Sequence, residues 1–172
     1  MYLLCLPLSL LSQNLELKEG FVAAHTEMIF DKSIDPLNTN LEADVTMQGD
    51  DISSLHGKFW IKTKHFYSDN QARDTNMYDA LKIDDYPLAS YTLHKVRRSD
   101  GLNNFELEGN LNFFGRTQAL SIQAEILLDK DKLTIKAMSE IKASDYGLEM
   151  PCMLLLCVQN KIDLYIKAVL LR

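Results

Sequence analysis

"NFELEGNLNFFGRTQALSIQAEILLDKDKLTIKAMSEIKA", residues 104–143, decides the fold. Phe105, Leu107, Gly109, Leu111 and Phe113 alternate with Asn104, Glu106, Glu108, Asn110 and Asn112. After the turn-like "FFGRT" (113–117) come Ile122, Ala124, Ile126 and Leu128 at the same spacing. After "DKDK" (129–132), Leu133, Ile135, Ala137, Ser139, Ile141 and Ala143 stand against Thr134, Lys136, Met138, Glu140 and Lys142. A period of two places successive side chains on opposite faces of a strand, so each run has one apolar face. The connections are too short for parallel crossovers, which makes these strands antiparallel neighbours.

The same alternation extends outward in both directions. Leu41, Ala43, Val45 and Met47 form one apolar set, Phe59, Ile61, Thr63 and His65 another, and Ile162, Leu164, Ile166, Ala168 and Leu170 a third. Two less regular runs complete the pattern: 20–30, with Phe21, Ala23 and His25 on one face, and 87–97, with Ala89, Tyr91 and Leu93 on one face. The total is eight strands, which stack as a sandwich or close into a barrel. Several run ten or more residues, which suits a tilted barrel. An eight-stranded barrel is just wide enough to be filled by side chains or to hold one elongated ligand. Small residues in the expected inward set (Ala23, Ala43, Ala89, Gly109, Ala124, Ala137, Ser139, Ala143, Ala168) leave room for a ligand.

Composition narrows the function. The 172 residues carry a net charge of −6, and no basic run exceeds the pair Arg97–Arg98, which disfavours nucleic acid as a partner. Cys5, Cys152 and Cys157 show no zinc-ligand spacing, and His25, His56, His65 and His94 are scattered, so no metal site is expected. Read as one extended strand, 152–157 would point its two cysteines to opposite faces and keep them from bonding. No Ser-His-Asp order, phosphate-binding glycine loop or HExxH motif is present, and no enzyme is expected. "MYLLCLPLSLLSQN" is too short to span a membrane and lacks a charged start. It reads as an abbreviated secretory leader over 1–15 or as an apolar tail packed on the domain, which occupies 16–172.

One helix interrupts the pattern. Thr75–Ile83 places Met77, Tyr78 and Leu81 on one side, with Asp74 as N-cap and Tyr86-Pro87 as the stop. Lying between strands three and four, it would cover one end of the barrel. Trp60 alternates onto a lysine-bearing face, and Asp84-Asp85 reads as a solvated turn.

"ARDTNMYDALKIDDYPLASYTL" (72–93) resembles the corner of the YceI-like family, in which Arg-Asp precedes a short helix and Tyr-Pro leads into the next strand. "GNLNFFGRTQALSIQAEI" (109–126) and "IKASDYGLEMP" (141–151) resemble its strand–Gly–turn–strand and Ser-Asp-Tyr-Gly elements, in the family's order. The resemblance implies an all-β, eight-stranded antiparallel lipocalin-like barrel that encloses a polyisoprenoid chain in a periplasmic or secreted, non-enzymatic protein. The apolar run "EMPCMLLLC" (149–157) and the short leader depart from common members.

Under that reading the bound molecule is a polyisoprenoid lipid or quinone, with no further cofactor. Candidate ligand contacts are Phe21, Phe59, Ile61 and Tyr91 on the early strands, and Phe113, Ile122, Ile135 and Leu164 on the later ones. Met77 and Leu81 would form the lid, and His25 and His65 are expected to face inward. Arg73 is the head-group candidate, unless it is tied to a loop carboxylate such as Asp145. Whether the barrel forms a homodimer is open at this level.

Overall fold

The computed structural model describes residues 12–28, 32–153 and 156–172. Its strands are β1 (Ser12–Met28), β2 (Lys32–Ile34), β3 (Leu37–Asn38), β4 (Glu42–Gln48), β5 (Asp51–Lys62), β6 (Leu88–Arg98), β7 (Asn104–Phe113), β8 (Arg116–Asp129), β9 (Lys132–Lys142), β10 (Cys152–Met153), β11 (Leu156–Cys157) and β12 (Lys161–Leu171). The long strands β4 to β9 pair in chain order, β9 pairs with β12, and β1 pairs with both β12 and β4. The result is a closed antiparallel barrel of eight strands, as the alternation predicts. The helix α1 (Gln71–Leu81) lies in the connection between β5 and β6, its expected place between the third and fourth barrel strands.

The two-residue turn 114–115 joins β7 to β8, and Phe114 (φ 49°) and Gly115 (φ 72°) both have positive φ. Two such residues in succession match the right-handed twist of the flanking strands, which is why the sequence places glycine there.

β1 differs from expectation in length and in facing. It starts at Ser12, and Ser12–Leu15, assigned by sequence to the leader, pair with Val45–Gln48 of β4. The rest of the leader reading falls on residues 1–11, outside the described residues. Register between β1 and β12 shifts between Leu17 and Glu19, and beyond it Val22, Ala24, Thr26 and Met28 point inward. Phe21, Ala23 and His25 therefore lie on the outer face, and Phe21 meets Tyr165 there with ring centroids 5.7 Å apart. A bulge reverses which residues face the core. The run "FVAAH" has apolar residues on both parities, so alternation alone could not detect the reversal.

The barrel is filled at one end and hollow at the other. Toward the hairpins at 49–50, 99–103 and 130–131 the interior is packed with buried Val45, Met47, Leu55, Leu93, Phe105, Ile126, Leu133 and Leu170. At the opposite end, next to α1, inward residues border open space. The filled end carries the apolar burial that stabilises the tube, at about 25 cal/mol per Å². Ile126→Ala should therefore lower the unfolding free energy by about 2–5 kcal/mol, measured by urea denaturation, because it removes a fully buried side chain from the packed end.

Candidate functional site: an apolar hollow under a helix and a strap

The hollow has a volume of about 800 Å³. This is in the upper part of the range of about 300–1,000 Å³ usual for small-molecule sites. Its wall is almost wholly aliphatic and aromatic, with contributions from β1, β5 to β9 and β12. Phe59, Ile61, Tyr91, Phe113, Ile122, Ile135 and Leu164 all line it, and Met77 and Leu81 of α1 close it from above. Phe21 and His25 do not line it, for the reason given for β1. His65 sits in a 3-10 turn beyond β5 and does not line it either, and its Nδ1 is buried without a hydrogen-bond partner. Trp60 contributes to the wall although its neighbours in the alternation face outward.

α1 begins four residues earlier than the periodicity indicates. Asn70 is its N-cap, its side chain accepting from the Arg73 N–H at 3.1 Å. Asp74 instead lies in the first turn and accepts from the Ser68 N–H and Oγ, where a carboxylate also suits the positive end of the helix dipole. Sequence missed this because both Asn70 and Asp74 are good caps and the first turn, 71–74, carries no large apolar residue to reveal its phase. The Tyr78 hydroxyl donates to the Phe66 carbonyl at 2.5 Å, pinning the helix to the chain leaving β5. No residue of α1 is fully buried: Met77 and Leu81 look onto the hollow rather than into a packed core.

Polar side chains reach the hollow mainly at this upper end, in Arg73, Asn76 and Asp79 of α1 and Thr26 of β1. Arg73 is not tied to Asp145. Its Nη1 donates to the Ser33 carbonyl at 3.4 Å, across to a strap formed by β2 and β3. That strap runs along the upper half of β1 and gives Ile34 and Pro36 to the cavity wall. Asp35 fastens it: its carboxylate takes the Ser33 hydroxyl at 2.6 Å and bonds His25 Nδ1 at 2.5 Å. The hydrogen bond to Asp35 holds the His25 imidazole above its ordinary pKa, while those from Ser33 and then His25 hold Asp35 below its own. His25 therefore serves the site from outside, by fastening one of its walls.

One polar group lies deep. Tyr91 crosses the bare backbone of Gly109, and its hydroxyl lies 2.8 Å from the Leu107 carbonyl and 3.0 Å from that of Leu120. A Cβ at Gly109 would come within 2.7 Å of the Tyr91 ring and 2.3 Å of the Thr92 carbonyl oxygen, so glycine is required for this crossing. Burial and, to a lesser degree, the charge of Glu108 push the phenol well above its ordinary pKa, which keeps it a donor.

The wall has a seam. β8 and β9 are paired from Asp129–Lys132 up to Gln123–Met138 and not beyond, although β8 stays paired to β7 and β9 to β12. The 3-10 turn Ala143–Tyr146 fills the gap, with Tyr146 buried edge-on against Phe113 at 5.6 Å and Gln118 donating to the Asp145 carbonyl. Leu120 and Ile141 line both the hollow and a cleft of about 520 Å³ outside this seam.

The cysteines correct another expectation. Residues 152–157 form a hairpin rather than one strand, so Cys152 and Cys157 face each other across β10 and β11 and form a disulfide. The flanking Pro151 and Val158 border the hollow. Among the described residues no group of three or more His, Cys, Asp and Glu side chains gathers as a metal site, and no helix is long and apolar enough to cross a membrane.

The YceI-like domain profile covers residues 16–170. The chain belongs to the YceI-like family. BcnA of Burkholderia cenocepacia shares the fold, with a TM-score of 0.76 at 14% identity over 87% of this chain and 95% of that one. A polyisoprenoid binding domain from Saccharophagus degradans, implicated in plant cell wall breakdown, gives a TM-score of 0.69 at 13% identity, over 95% of this chain and 99% of that one. The Campylobacter jejuni YCEI protein gives 0.56 at 19% identity, over 98% and 89%. No curated protein sequence matches the chain significantly.

The strap has a pH window. His25, with its raised pKa, contributes stability that is fully present below the ordinary histidine value of about 6.5 and is lost as pH rises through the folded value. Asp35, with its lowered pKa, contributes stability present above the ordinary value of about 3.9 and lost as pH falls through the folded value. The protection factor of the Ile34 amide, which faces Thr26 across the ladder, taken relative to the intrinsic exchange rate at each pH, should therefore be greatest between those limits. In His25→Ala the fall in that protection factor on the alkaline side should disappear.

Proposed function

We propose that this YceI-like protein binds a long-chain isoprenoid or similar amphipathic lipid inside its barrel, as a carrier or reservoir. The observation that carries the reading is a hollow of about 800 Å³, apolar on its walls, closed below by a packed core and edged with polar groups at its mouth. An apolar chain entering it gains about 0.8 kcal/mol per buried methylene without needing polar partners. The relative from Saccharophagus degradans, a polyisoprenoid binding domain, supports the same ligand class. A filled barrel that works only through its surface would leave this volume without a purpose. Among the described residues of the hollow no acid, base and nucleophile converge, which supports a binding role over an enzymatic one.

Arg73 is the group we assign to the lipid's head. It borders the hollow at the mouth, and among the described residues its guanidinium makes one long hydrogen bond, to the strap; the planar donor fork suits an oxygen-rich group. The Cys152–Cys157 disulfide supports a periplasmic or secreted location, because such bonds persist in oxidising compartments. The net charge of −6 supports a partner other than nucleic acid.

Native mass spectrometry of protein purified without detergent tests the ligand reading. A discrete added mass that extracts as a polyprenyl lipid or quinone is expected. A bare chain, unchanged after incubation with quinones and polyprenyl phosphates, would reject it. For the compartment, alkylation under denaturing conditions should add two more adducts after reduction than before, both mapping to the peptide that holds Cys152 and Cys157. Equal labelling with and without reductant would count against export.

A further inference from the structure

We propose that Tyr91 is the stop that sets how long a chain the barrel accepts, an inference that rests on the lipid-binding reading. Along each strand the hollow ends at a definite residue. Tyr91 borders it and Leu93, the next residue on the same face, does not; Leu107 does and Phe105 does not; Ile135 does and Leu133 does not; Ala168 does and Leu170 does not. These boundaries define a floor. Most of its members are aliphatic side chains, free to change rotamer under a pressing ligand. Tyr91 is held at both ends, by its backbone in β6 and by its hydroxyl against the carbonyls of Leu107 and Leu120 on β7 and β8. Gly109 gives the ring a bed with no side chain beneath it. A ring so fixed cannot swing aside without its hydroxyl giving up both acceptors, so it resists a chain end where an aliphatic residue would yield.

The test uses a ladder of all-trans prenols of increasing length, bound to wild type, Tyr91→Phe and Tyr91→Leu and read by native mass spectrometry as relative occupancy. The wild type should show a length optimum with a sharp fall beyond it. Tyr91→Leu withdraws the ring and its hydroxyl tether from the floor and should move the optimum toward the next longer prenol. Tyr91→Phe keeps the ring but frees it, and should blunt the fall, raising occupancy by the next longer prenol about tenfold relative to wild type. Because Tyr91→Phe keeps the core volume, it answers the question even where Tyr91→Leu fails to fold. Prenol binding by all three proteins with coincident optima and equally sharp limits would overturn the stop while leaving the lipid reading intact. No prenol bound by wild type would overturn both.

Discussion

The ladder from Glu16–Leu171 to His25–Asp163 turns a sheet into a tube, and the stagger it imposes shapes both ends. Closing eight strands requires tilt, and tilt means that neighbouring strands do not begin and end together. β4 therefore covers only Ser12–Leu15 of β1, leaving the upper half of β1 with an open edge. An exposed edge is a template for unwanted pairing, and the β2–β3 strap occupies it. The strap thus answers a requirement of closure and, in the same position, becomes one wall of the mouth. The latch among His25, Ser33, Asp35 and Arg73 fixes both at once.

Leaving half a barrel hollow has a physical cost, since wall atoms facing empty space lose dispersion contacts they would make in a packed core. The molecule concentrates its packing below, in residues such as Met47, Leu55, Leu133 and Leu170, and lets the upper walls be held by backbone ladders instead. Hydrogen bonds between strands do not depend on what fills the interior. The hollow can therefore persist without collapsing, and a bound chain would return the missing contacts as affinity and as added stability.

Alternation of apolar and polar residues carried the architecture because barrel strands have one inside and one outside. It worked best for β7, β8 and β9, where the outward positions are charged or amide residues and the faces cannot be exchanged. It failed in β1, where Phe21, Val22, Ala23 and Ala24 are apolar on both faces and a bulge sets the parity. The helix was legible as a helix, but its start was not, because capping is decided by which of two competent residues the preceding turn presents. The cysteine pair was misread from spacing alone. Five residues separate the two sulfurs along the chain, whereas in a hairpin the distance that matters runs across it. The strap and the Tyr91 crossing had no sequence signature, since each joins residues that only closure brings together.

An aliphatic wall recognises amount of surface and little else, so a hollow of this kind discriminates poorly among chains of similar girth. Selection must then come from its two ends. At the mouth, the protein's long-range field opposes capture of an anion: the net charge is −6, and Asp35 lies near enough to Arg73 for the two charges to interact. A head group held by Arg73 would be held by short, directed N–H bonds formed after the chain has entered, with apolar burial driving entry. On the proposed reading, binding would proceed chain first and head last, an order that would make the depth of the tube the first property of the ligand to be read.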